Sequence, residues 1–111
     1  DKSTVVMNWS NDAKAIEAVR KGYRVIQTPG KPYYFDHYQS RNPMDSLAIH
    51  GYNPMEAVYR YELIPAAIAG TPDEAKILGG QANVWTEYMA SPEKVDYMVL
   101  PRMTALSESL W

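Results

Sequence analysis

The 111-residue sequence contains no cysteine. That excludes disulfides, thiolate metal sites and a cysteine nucleophile at once, while assigning no compartment. No apolar run approaches the roughly 18 residues of a membrane span. The opening Asp1-Lys-Ser-Thr has no basic stretch leading into an apolar core, so no signal peptide is expected. The formal net charge is −2 and no Lys/Arg stripe occurs, which argues against a nucleic-acid partner. Neither a glycine-rich phosphate loop nor a Gly-x-Ser-x-Gly elbow is present. The two histidines, His37 and His50, lie in a loop without metal-ligand spacing, so structural or solvent-exposed roles are expected and no metal or other cofactor. Phenylalanine occurs once, against 9 Tyr and 3 Trp. Tyr and Trp pair a flat apolar face with a polar tip, and sugar rings present the same mixture of C–H faces and hydroxyl edges.

Along the chain, elements alternate. Thr4 to Trp9 is an apolar, β-branched run of strand length. Ser10 or Asn11 offers an N-cap to a helix over Ala13–Lys21, with Ala15, Ile16 and Val19 on one face and Gly22 as its stop. Tyr23–Thr28 is a second strand, which implies parallel pairing through a right-handed crossover. Residues 30–53, rich in Tyr, Pro and polar groups, read as a long loop, a feature that is often functional. Pro54 suits the first turn of a helix to Tyr61, and Thr71-Pro72-Asp73-Glu74 resembles a capping box. Ile77–Trp85 is a third strand candidate. Ser91-Pro92-Glu93 opens a last helix that Pro101 breaks, with a second piece over Arg102–Leu110. The pattern predicts an α/β fold with parallel strands. Three β/α units are awkward alone, because parallel sheets need both faces covered and a closed barrel needs about 200 to 250 residues. A fragment of a larger barrel is therefore expected.

Strand parity places Gln81, Asn83, Trp85 and Glu87 on one face of Gly80–Glu87. Such a face is costly to bury without partners, and in a barrel it points inward, with Trp85 and Glu87 at the mouth. A structural polar ladder with Trp85 as core is the alternative. After the second strand, Tyr34 and Asp36 share a face if Tyr33–Asp36 is extended; a rim Tyr and an Asp in a local turn is the alternative. Trp9 ends the first strand. These three places fall at the C-terminal ends of three parallel strands, where barrel enzymes build their sites. Their convergence predicts a ligand site suited to carbohydrate.

The stretch Leu78-Gly-Gly-Gln-Ala-Asn-Val-Trp-Thr-Glu-Tyr88 closely resembles glycoside hydrolase family 20. So do Val95–Trp111, Gly22–Pro29, Tyr34-Phe-Asp36 and the strand-terminal Trp9, in the family's order. The resemblance implies that residues 1–111 are the C-terminal part of a (β/α)8 barrel, strands six to eight. It implies removal of terminal non-reducing N-acetylglucosamine or N-acetylgalactosamine from glycoconjugates or chitooligosaccharides, without distinguishing between the two sugars. The chemistry it implies is substrate-assisted and retaining, the acetamido oxygen being the nucleophile. Carried over, Tyr34 orients the acetamido group, Trp9 and Trp85 wall its methyl, and Asp36 and Glu87 accept ring hydroxyls. The family's Asp-Glu acid pair is missing: the one adjacent acidic pair, Asp73-Glu74, lies in a capping context. The chain's partners are then the rest of the barrel and the sugar, with self-association of uncovered edges. An exported parent is implied. A conventional Asp36/Glu87 nucleophile–acid pair, a non-catalytic carbohydrate-binding fragment and a small nucleotide-binding domain are the rival expectations.

Overall fold

The computed structural model describes residues 1–111. Its elements run β1 (Val5–Asn8), α1 (Asp12–Arg20), β2 (Arg24–Gln27), α2 (Gly30–Tyr33), α3 (Met55–Arg60), a 3-10 helix (Pro72–Lys76), β3 (Ile77–Gly80), α4 (Pro92–Val99) and α5 (Arg102–Leu110). The chain divides into two compact units that interleave in sequence. One comprises Asp1–Gly30 with Glu62–Gln81, the other Lys31–Tyr61 with Ala82–Trp111.

The first unit carries a three-stranded sheet in the order β1-β2-β3, both pairings parallel. Its core forms where α1 lays Ala15 and Val19 against Val25, Ile68 and Ile77. α1 starts where Asn11 accepts the Lys14 N–H at 3.1 Å, satisfying one of the orphan donors of a helix start. It stops at Gly22, whose φ of +91° relieves the end of the helix at no Cβ cost. Two polar side chains are buried at the strand ends. Asn8 donates to Gln27 Oε1 at 2.7 Å, and Gln27 donates onward to the Leu63 carbonyl at 3.3 Å.

The third strand is shorter than its apolar run suggests, ending at Gly80 instead of Trp85. Val25 pairs with Ile77 but Ile26 with Gly79, so Leu78 is an extra residue and its side chain is turned out, half exposed. A bulge of this kind bends a strand and disrupts its ladder. Regular alternation over Gln81–Glu87 therefore does not form.

In the second unit, α3 and α5 pack together, with Val58, Met98 and Ala105 buried. α4 opens on Ser91, which accepts the Lys94 N–H at 3.2 Å, and α5 begins after Pro101, as its break predicts. Pro54 is the N-cap residue of α3, one position earlier than expected. The expected capping box at Thr71 does not form in the first unit either. Thr71 Oγ1 donates to the Ile68 carbonyl at 2.6 Å, while Glu74 accepts the Gly70 N–H at 2.5 Å.

Candidate active site

The segment after β2 holds Tyr34 and Asp36. Tyr34 pairs with Asn83 in an isolated parallel bridge: Asn83 N–H donates to the Tyr33 carbonyl at 2.9 Å, and Phe35 N–H to the Asn83 carbonyl at 2.8 Å. This bridge sets the Tyr34 ring against Trp85, centroids 6.3 Å apart at 70°. Two aromatic walls meeting nearly at right angles form a corner suited to a small apolar group. Tyr34 is half-buried, and Trp85 is half exposed.

Beyond Tyr34 the chain is not extended. It turns, and His37 N–H reaches back to the Tyr34 carbonyl at 3.4 Å. Asp36 is consequently drawn in and is only 6% exposed. Its Oδ1 is buried and has no hydrogen-bond partner. A buried carboxylate oxygen left unpaired is expensive, so this atom is an acceptor waiting for a donor. Glu87 lies exposed on a turn two residues past Trp85. Trp9 follows β1 in the other unit, 68% exposed above Asn8. Tyr34, Asp36 and Trp85 are thus held on one scaffold, Glu87 hangs from its rim, and Trp9 belongs to the sheet unit.

The scaffold depends on a residue to which sequence patterns assign no role. Arg102, at the start of α5, is fully buried. Its Nε donates to the Met98 carbonyl at 3.1 Å, and Nη1 donates to the carbonyls of His37 at 2.9 Å and Asn53 at 3.0 Å. Nη2 donates to Phe35 and Met98 carbonyls, each at 2.5 Å. All five guanidinium donors are used. The guanidinium also sits over the Phe35 ring, 4.8 Å from its centroid. Burial lowers its pKa to about 10, with Asp36 and Asp45 opposing that fall, so it remains charged at neutral pH. It clamps the Phe35–His37 turn from behind and places a positive charge in the surroundings of Asp36.

His37 is packed into the same scaffold, in the structural kind of setting expected for it. Its imidazole meets the Tyr34 ring edge-on at 5.9 Å and the His50 ring at 5.2 Å. Asn53, 1% exposed, sends Nδ2 to the Tyr34 carbonyl at 2.9 Å and to His37 Nδ1 at 3.2 Å. No cluster of three or more His, Cys, Asp or Glu is arranged to hold a metal ion. The adjacent acidic pair is engaged elsewhere, Asp73 with Lys76 at 2.6 Å and Glu74 with the Gly70 N–H.

Residues 1–111 match the family model described as glycosyl hydrolase family 20, catalytic domain. The chain is 38% identical over 110 residues to a β-hexosaminidase of Porphyromonas gingivalis, covering 98% of this chain and 14% of that protein. Among solved structures it resembles the exo-β-N-acetylglucosaminidase of Vibrio harveyi in complex with N-acetylglucosamine. That likeness has a TM-score of 0.86 and 32% identity, over all of this chain and 18% of the other. The β-N-acetylhexosaminidase of Streptomyces coelicolor is similar with a TM-score of 0.81 and 26% identity, over all of this chain and 24% of the other. The chain therefore spans under a quarter of the length of each of these relatives.

Proposed function

The chain belongs to glycosyl hydrolase family 20, and from that premise we propose that it forms the last three β/α units of a (β/α)8 catalytic barrel. The whole protein then removes terminal non-reducing N-acetylhexosamine by substrate-assisted, retaining hydrolysis. Two features together support this reading: the buried, unpartnered Oδ1 of Asp36 and the Tyr34–Trp85 corner. A sugar hydroxyl is the donor that oxygen lacks, and a rigid aromatic corner suits an acetamido methyl.

In this scheme the Tyr34 hydroxyl donates to the acetamido oxygen and holds it in line with the anomeric carbon. That oxygen attacks as the glycosidic bond breaks, giving an oxazolinium that water then opens. Trp85 walls the methyl and excludes water. Asp36 and Glu87 accept hydrogen bonds from the ring hydroxyls at C4 and C6. The carboxylic acid that protonates the leaving oxygen comes from outside this chain, which has no Gly-Asp-Glu motif. Asp73 and Glu74 are taken up in holding the turn before β3.

The test is hydrolysis of aryl N-acetyl-β-D-glucosaminide and galactosaminide by the full-length protein. Removing a charged acceptor costs about 1.5–3 kcal/mol, so Asp36→Asn should raise KM roughly ten- to a hundredfold while turnover persists. Tyr34→Phe should act mainly on kcat. Complete loss of chemistry in Asp36→Asn, with a glycosyl–enzyme adduct in the wild type, would instead establish Asp36 as a nucleophile.

A further inference from the structure

We propose that His37 is a positioning residue for Tyr34 and acts through Asn53. As a neutral imidazole accepting at Nδ1, it fixes the amide that holds the Tyr34 backbone. The kinetic consequence rests on the role proposed above for Tyr34; the hydrogen-bond arrangement does not.

Asn53 Nδ2 carries two protons and lies 2.9 Å from the Tyr34 carbonyl and 3.2 Å from His37 Nδ1. The carbonyl can only accept, so the nitrogen of the amide must face it. The second proton then points at Nδ1, which must carry a lone pair, and the ring proton resides on Nε2.

The arrangement has little room to relax. The same guanidinium nitrogen of Arg102 binds the backbone carbonyls of both His37 and Asn53. Gly51 backs onto the imidazole so closely that a Cβ there would sit 2.4 Å from Nδ1. The rings of Tyr34 and His50 close two further sides. A proton added at Nδ1 would face an amide donor. Flipping the amide would relieve that clash only by turning its oxygen onto the Tyr34 carbonyl. Protonation of His37 therefore releases Tyr34 from Asn53.

The groups around the ring oppose that proton on balance. Burial is the largest influence against it, and His50, Arg102 and Lys31 add to it, while Asp36 alone favours the imidazolium. The socket thus keeps His37 neutral to lower pH than an imidazole free in water, burial being the main cause.

Selective 15N-histidine labelling of the full-length protein tests the arrangement directly, with His37→Asn assigning the resonances. The expected result at neutral pH is an Nε2–H tautomer with Nδ1 unprotonated. An Nδ1–H tautomer or an imidazolium at neutral pH overturns the proposal. In kinetics on N-acetyl-β-glucosaminides, His37→Phe keeps the ring and removes the acceptor. It should lower kcat by about tenfold to a hundredfold, the cost of a misplaced orienting group.

Asn carries an oxygen where Nδ1 lies, so His37→Asn should restore most of that loss and remove the His37 component from the acidic limb of the pH profile. Wild-type kcat in His37→Phe, or an unchanged acidic limb in His37→Asn, overturns the positioning role. If the wild type hydrolyses no N-acetylhexosaminide, the functional reading fails, and the tautomer spectrum still decides the His37–Asn53 contact.

Discussion

Gly51 shows how one missing side chain serves the site. Its φ of +74° lies in the left-handed region, and a Cβ would strike the His37 ring. Gly70 has the same φ of +74° but open space around it. Gly70→Ala should therefore cost only the backbone strain, about 1–2 kcal/mol. Gly51→Ala should cost more, because His37 must also move; thermal unfolding of the pair separates strain from collision. His37 itself makes stability depend on pH. Its pKa is lowered from 6.5 in the folded state, chiefly by burial, so the unfolded chain takes up the proton first. Stability is fully present above about pH 6.5, declines as pH falls below it, and levels once the folded-state pKa has been passed. Denaturant midpoints of wild type and His37→Asn between pH 7 and 5 check this: only the wild type should carry the His37 contribution. That Tyr34, Asp36 and Trp85 fall in one unit could be sought in the sequence, because they lie in the segments that follow β2 and β3. The socket could not. Its members His50, Gly51 and Asn53 stand 13 to 16 positions beyond His37 in a loop without periodicity, and no local rule links them.

At the scale of elements, the helix ends were the most legible features because capping is local chemistry. Asn11 and Ser91 both accept backbone N–H bonds where their residue type suggests. Asn11→Ala should destabilise by about 1 kcal/mol, measured as a shift in denaturant midpoint. The strand over Ile77–Trp85 was overextended because apolar content says nothing of register, and the Leu78 bulge is a matter of register with β2. The start of α5 was visible as a post-proline restart, but the work of Arg102 was not. Its acceptors are backbone carbonyls, which leave no complementary side chain to find in a sequence. Arg102→Met should strand those carbonyls and cost about 3 kcal/mol or more. Arg102→Lys should rescue little, since an ammonium lacks the planar fork of donors. Urea titration of the two variants decides between charge and geometry.

For the whole molecule, the α/β class and the parallel pairing were contained in the alternation of short elements. The division into two interleaved units was not, because it depends on contacts between distant stretches of chain. On the function proposed above, in which the acid comes from outside this chain, the 111-residue chain on its own should show no turnover of an aryl N-acetylglucosaminide; measurable hydrolysis by that purified chain would refute this. Met7, Leu78 and Trp111 are exposed apolar groups, so the same isolated chain should self-associate, visible in sedimentation velocity. The Arg102 clamp has one more consequence, in time. It ties carbonyls at positions 35 and 37 to a side chain 65 to 67 residues later. At translation rates of about 5–20 residues per second, the Phe35–His37 turn leaves the ribosome roughly 3–13 s before the residue that fastens it. For that interval the turn is kept only by water and its neighbours. A ribosome that stalls ahead of the Arg102 codon exposes a nascent chain whose Phe35–His37 turn has not yet been fastened.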